Sequence, residues 1–455
     1  MAMDFLPSLL RYMNMCTRTC RFLALAVALL STAAAHAQLR LPSLGSTLSP
    51  IARAPVLQRV EPLVDTALAP VDLAAARLQE TARRLRAHSR ELDRDPQGEL
   101  IVRAEVLAQP SSPAARAALL AAGFKTLRED TLEGLGDALV VLKPPSGLEF
   151  EDAVARARSI DPAGVYDFHH VYLGSGSVGT ASPAASAAAL ALPAGVVGAS
   201  LRVGLIDSGV DARHPAFANA VVQRHGCDDG AHPAAHGTAV ASLMIGQAGP
   251  FHSALPRATL YAGDAYCDAA TGGSVEAIAR ELAWLAREQV AVVNISLVGP
   301  ANQILQRLIE RAVAQGLLIV AAVGNDGPAA PPLYPASWPG VVGVGAVDGR
   351  LRLLPEGARG PQVMFVAPGA DMAAAAAGTR EFAPVRGTSF AAPFVAGLLA
   401  ATYQTASPDG ARAAIARLAG TAHELPAAPR EGYGRGLVAE SLRTAPDAVA
   451  LVHER

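Results

Sequence analysis

Arg386-Gly387-Thr388-Ser389-Phe390-Ala391-Ala392-Pro393-Phe394-Val395-Ala396-Gly397 is the stretch on which the reading of this chain turns. A serine sits where a glycine-containing segment passes into a very apolar helical run. Serine at such a junction is first an N-cap, because its side chain can accept a bond from a free backbone N–H. The run from Phe390 to Ala400 has no polar face, so a helix there must be buried. A serine at the positive end of a buried helix is also well placed to meet a developing negative charge.

Three other stretches bear on the choice between cap and nucleophile. Val203-Gly204-Leu205-Ile206-Asp207-Ser208-Gly209 reads as an apolar strand ending in a carboxylate. In an open α/β sheet, that end of a strand faces the ligand crevice. His236-Gly237-Thr238-Ala239-Val240-Ala241 places a histidine at the start of a second apolar helix. Ile319-Val320-Ala321-Ala322-Val323-Gly324-Asn325 is a buried strand ending in an asparagine whose side-chain N–H can face an oxyanion. Asp, His and Ser, with an amide donor, are the parts of nucleophilic acyl transfer.

This set resembles the subtilases, the subtilisin-like serine proteases. The resemblance rests on Asp207-Ser208-Gly209, His236-Gly237-Thr238, Gly324-Asn325 and Gly387-Thr388-Ser389 in that order. Flanking stretches support it: Asn294-Ile295-Ser296-Leu297, Tyr334-Pro335-Ala336, Ala367-Pro368-Gly369 and Gly432-Tyr433-Gly434-Arg435-Gly436. The resemblance spans about residues 199–446. It implies an α/β fold with a mostly parallel sheet flanked by helices. It also implies an endopeptidase in which Asp207 orients His236, His236 activates Ser389, and Asn325 holds the oxyanion. The segment Ser296-Leu297-Val298-Gly299 resembles the family's substrate-binding strand, with Val298 where glycine is usual. Leu333 stands where glycine often floors the S1 pocket, which implies small or medium side chains before the cut bond. Phe390 replaces a common methionine and reads as packing.

Length and charge are compatible with this. The chain has 455 residues and a formal net charge of −2. Balanced charge points away from nucleic acid or an acidic membrane surface as partner. Residues 1–37 read as a secretory signal, with Arg11, Arg18 and Arg21 before the apolar run Phe22–Leu30 and Ala35-His36-Ala37 at the cleavage site. The expected location is therefore periplasmic or extracellular, with no membrane span after signal removal. Cys227 and Cys267 remain outside the signal. In an exported chain they are either a disulfide or two buried thiols. A zinc site using His225, Cys227 and His232 is conceivable on spacing, but Cys-x-x-Cys and His-Glu-x-x-His are lacking. The expectation is no cofactor, with calcium left open. The loop 246–256, comparable to the family's calcium loop, offers few hard oxygen ligands.

The remaining segments divide as follows. Residues 38–97 form a lead, loosely packed to about 70 and then helical from Asp72 to Asp93. Residues 98–172 show the order β-α-β-β-α-β of a small ferredoxin-like α+β domain. In position and pattern this resembles the inhibitory propeptide of subtilases, so the chain's own propeptide is an expected partner beside protein or peptide substrates. Residues 173–198 are small and flexible, a linker holding the processing junction between Tyr172 and Ser182. The G-x-G-x-x-G of Gly174–Gly179 is not read as a dinucleotide loop, since no helix starts within it. Residues 447–455 are a tail. The overall expectation is a monomeric, exported pre-pro-enzyme. The alternatives are an idle subtilase fold serving as a binding or chaperone module, and an esterase using the same three residues.

Overall fold

The computed structural model describes residues 73–179 and 201–450, apart from Asp229, Pro426 and Ala427. The expected signal peptide, most of the lead and the last five residues lie outside the described residues.

A seven-stranded sheet organises the larger part. Its order is Val363–Pro368, Val342–Val347, Leu318–Ala322, Val292–Ile295, Arg202–Asp207, Thr259–Asp264, Val221–His225. Every neighbouring pair is parallel. Parallel strands are covered on both faces, which is why most of them read as continuous apolar runs rather than alternating ones. Val203 and Leu205 point to one face with the helices Ala235–Ile245 and Ala392–Ala400. Ile206, Val293 and Ile319 point to the other, with Val275–Arg287 and Gln303–Ala314. These last two helices begin on side-chain caps, Ser274 and Asn302. The helix after Ser389 is buried along nearly its whole length, as its lack of a polar face requires.

The N-terminal domain has the expected βαββαβ order. Leu100–Gln109, Lys125–Leu132, Asp137–Lys143 and Val165–His170 form an antiparallel sheet with Pro113–Ala121 and Phe150–Ile160 as its helices. The outer strand is Lys125–Leu132. It continues through Arg128, Glu129 and Asp130, whose charges obscure a strand pattern but suit an edge in contact with solvent. The lead helix is shorter than expected, Leu73–Ala87. Leu92, within the expected helix, lies in the strand Leu92–Arg94, paired antiparallel with Leu100–Val102. Leu92 is fully buried with Val102, Val171 and Leu173, and that tertiary packing outweighs local helical periodicity.

The small domain docks through a mixed-charge cluster. Arg128 donates to Glu105 on its own domain and to Glu276 at the start of a helix on the other. His169 Nδ1 donates to Glu105 at 2.8 Å, and its Nε2 accepts from the Glu276 backbone N–H. Burial raises the Glu105 pKa, but the bonds from His169 and Arg128 outweigh it and hold the group at about 2. Burial raises Glu276 too, yet Arg128, His169 and Arg280 bring it below its ordinary value.

Both carboxylates therefore have folded pKa values below their unfolded ones. The docking stability they supply is complete above the ordinary carboxylate range near 4.3 and is lost as pH falls toward 2. Amide exchange in Leu100–Gln109 should rise over that interval in the uncleaved chain, and Arg128→Ala should weaken docking by about 1–3 kcal/mol at neutral pH.

Candidate active site

Asp207, His236, Asn325 and Ser389, distant in sequence, converge at one edge of the large sheet. Asp207 ends the strand Arg202–Asp207 and is fully buried. Its Oδ1 accepts the Ser208 N–H at 2.7 Å, which fixes the carboxylate. His236 lies in the first turn of Ala235–Ile245 and donates Nδ1–H to Asp207 at 2.8 and 3.1 Å. Gly237 lets that turn close: a Cβ there would sit 1.9 Å from the Ser208 carbonyl oxygen. His236 Nε2 is buried and has no hydrogen-bond partner among the described residues.

Ser389 is not a helix cap. It lies in the 3-10 turn Thr388–Phe390 that precedes the buried helix, and no side chain caps that turn. Gly387 enters the turn at φ 135°, a conformation that favours glycine. The Ser389 Oγ accepts from the Ser175 N–H and donates to the Ser296 carbonyl, both at 3.1 Å. Asn325 is oriented by the Thr388 N–H, which donates to its Oδ1 at 3.0 Å. Its Nδ2 is thereby turned toward Ser175.

Residues 173–179, expected as a flexible linker, instead run through the cleft. Leu173–Gly174 pairs antiparallel with Leu297–Val298. Ser177–Val178 pairs antiparallel with Val385 and Arg386. Tyr172 is held on the opposite side, its N–H donating to the Gly273 carbonyl at 2.7 Å. An extended chain gains main-chain bonds from both cleft walls, and these outweigh the flexibility of its composition. Residues 180–200 lie outside the described residues.

Between the two short strands, the Ser175 carbonyl oxygen accepts from Asn325 Nδ2 at 2.7 Å and from the Ser389 N–H at 3.2 Å. The bond presented at the nucleophile is therefore Ser175–Gly176. The Ser175 side chain also accepts from Asn325. Leu333 is buried against Gly324, its Cδ1 only 2.6 Å from where a Cβ would be, so it fills the space that a glycine would leave open. Further along, Tyr172 is fully buried and donates its hydroxyl to the Pro300 carbonyl at 2.6 Å. Gly299 makes room for its ring, since a Cβ there would sit 2.8 Å from the ring carbons.

Sequence reading did not anticipate the helix Leu73–Ala87 beside this cleft. Arg77 donates to Asp326, the neighbour of Asn325, at 2.7 Å. Ala76, Arg77 and Glu80 border one small cavity with Gly174, Ser175 and Asn325. Burial raises the Asp326 pKa, and Arg77 offsets part of that rise. The sequence indicated a helix in this segment, but nothing in it indicated where the helix would dock.

Cys227 and Cys267 form a disulfide between the loops after two adjacent strands. With Cys227 so committed, the conceivable zinc set of His225, Cys227 and His232 loses its thiolate. Among the described residues, no helix is long and apolar enough to cross a membrane.

The fold and the site define a serine endopeptidase built on a parallel α/β sheet. A profile of the subtilase family matches residues 198–436. The chain is 30% identical over 256 residues to subtilisin DY of Bacillus licheniformis, covering 54% of this chain and 90% of that one. It is 31% identical over 263 residues to subtilisin E of Bacillus subtilis strain 168, of which the match spans 65%. The crystal structure of fervidolysin from Fervidobacterium pennivorans, a keratinolytic enzyme related to subtilisin, shares the fold with a TM-score of 0.59 at 18% identity, over 75% of this chain and 61% of that one. The chain belongs to the subtilase family.

The disulfide closes a loop with a sequence separation of 40 residues. Chain-entropy reasoning gives it about 3–4 kcal/mol. Cys227→Ser with Cys267→Ser should lower the urea midpoint of unfolding accordingly, with the slope of the transition reporting any change in the unfolded chain.

Proposed function

We propose that this chain is an exported serine endopeptidase made as a self-inhibited precursor, and that its own Ser175–Gly176 bond is its first substrate. The observation that carries the reading is the Ser175 carbonyl, bonded at once to Asn325 and to the Ser389 N–H.

In this reading Ser389 Oγ attacks the carbonyl carbon of Ser175. Its proton passes to His236 Nε2, and Asp207 stabilises the imidazolium through Nδ1–H. The negative charge moves onto the carbonyl oxygen, where Asn325 and the Ser389 N–H already point. Collapse of the tetrahedral species breaks the bond to Gly176 and sends the proton from His236 to the new amine. Water then attacks the acyl-enzyme by the reverse path, and Ser175 becomes a C-terminal carboxylate.

The resting hydroxyl faces the Ser296 carbonyl rather than His236. A rotation of the Ser389 side chain to His236 Nε2 would start the reaction. After the cut, residues 98–175 would remain bound, because Leu173–Gly174 keeps its ladder and the domain keeps its charged cluster. The helix Leu73–Ala87 adds the Arg77–Asp326 bond beside the oxyanion site. Release or destruction of this part would open the cleft to protein or peptide substrates. The signal-like segment 1–37 and the secreted character of the family support export.

The test compares masses of the purified protein. Wild type should yield a fragment starting at Gly176, and Ser389→Ala should keep the bond intact and fail to react with a fluorophosphonate. Removing a nucleophile of this kind typically lowers kcat by about 10⁶-fold. Asn325→Ala should label but process about 10²–10³-fold more slowly, the general cost of one missing oxyanion donor. An intact bond in a wild-type chain that does not label would refute the reading.

A further inference from the structure

The residue after the presented bond, Gly176, sits in a box with no room for a side chain. A Cβ built on it would lie 2.6 Å from Phe390 Cε2 and 3.1 Å from the Arg386 carbonyl oxygen. Neither wall can easily withdraw. Phe390 is fully buried, and its ring packs 5.4 Å, centroid to centroid, from the ring of His236. Moving it outward would disturb the histidine that must receive the proton. Arg386 is fixed through its guanidinium, which pairs with half-buried Glu356 at 2.6 Å. Its strand, Phe382–Arg386, is held by Met372–Ala375 on one side and by Ser177–Val178 on the other.

Gly387 approaches so closely that a Cβ on it would lie 2.7 Å from the Gly176 Cα. On the other side of the bond, a Cβ on Gly174 would meet the His236 ring at 3.2 Å. That is tight contact rather than collision. The asymmetry separates the two positions: small residues fit before Ser175, whereas only glycine fits after it.

We propose that Phe390 makes the leaving-group subsite of this enzyme selective for glycine, so that its preferred substrates are extended segments cut on the N-terminal side of a glycine, as in Gly-Ser-Gly. The inference rests on the reading of Ser175–Gly176 as the presented bond. It turns an intramolecular fit into a rule for other substrates, because a free peptide would meet the same Phe390 ring and Arg386 carbonyl. The glycine pattern of residues 174–179 thereby acquires a physical cause. Gly174 and Gly176 are there for close approach to His236 and Phe390, not to hold a phosphate.

Two internally quenched peptides test this, Tyr-Leu-Gly-Ser-Gly-Ser-Val and the same peptide with alanine after the cut bond. The enzyme is the purified chain left to mature until its mass is constant. The glycine peptide should have a kcat/KM at least about tenfold above the alanine peptide, the discrimination expected of one misfitting methyl group. Phe390→Ala should bring the ratio below about threefold by improving the alanine peptide. Phe390→Met, a milder change, should give an intermediate ratio if the alanine variant does not fold. A wild-type ratio within about twofold overturns the subsite inference while leaving the protease reading intact. So does a chain that labels with a fluorophosphonate but cuts neither peptide. A chain that neither labels nor cuts either peptide overturns both.

Discussion

The carbonyl oxygen of Ser175 accepts one hydrogen bond from a side chain and one from the backbone of the candidate nucleophile. This double bond-acceptor position is the constraint on which the geometry of the cleft depends. It fixes the height of residues 172–179 relative to Ser389, and through them the register of both flanking ladders. A shift of one residue would turn alternate side chains to the wrong wall and leave the two donors aimed at a different carbonyl. The donors are themselves fixed from the core. Thr388 orients the Asn325 amide, and the Asn294–Ser296 pair reaches the Ser389 carbonyl.

The sheet supplies the distances. Asp207 and Asn325 follow parallel strands, and all parallel strands of one sheet end at the same edge. His236 and Ser389 enter from the starts of helices that pack on the same face of that sheet. Four groups thus converge without a long loop, and a rigid edge holds them better than a loop can. The same arrangement leaves an open channel across the strand ends, and an extended chain fills it by adding a strand to each wall.

Glycine is used here for access rather than for flexibility. Gly237 lets the histidine helix touch the loop after Asp207, and Gly387 lets the backbone before the nucleophile meet Gly176. A sequence rich in small residues at 174–179 suggests a loose tether. The structure gives the same residues defined partners: Gly174 lies in tight contact with the His236 ring, and Gly176 leaves no room for a Cβ between the Phe390 ring and the Arg386 carbonyl.

The sequence alone determined the sheet class, the two-domain order and the candidate reactive residues. Apolar runs ending in Asp207 and Asn325 and the polarless helix after Ser389 are local patterns that mark buried strands and a buried helix, and the resemblance to the subtilases implied the parallel sheet with its site at the strand ends. The βαββαβ order of residues 98–172 was legible for the same reason, apart from the charged edge strand through Arg128–Asp130. The rest depends on contacts between residues far apart in the chain. Leu92 left its expected helix because a strand partner and a buried pocket were available to it. The choice between disulfide and thiols at Cys227 and Cys267 depended on the meeting of two loops. The path of residues 173–179, the seat of Arg77 beside Asn325 and the closure of space around Gly176 were decided only by the tertiary structure, since local pattern records which residues can be buried or extended but not which surface they will meet.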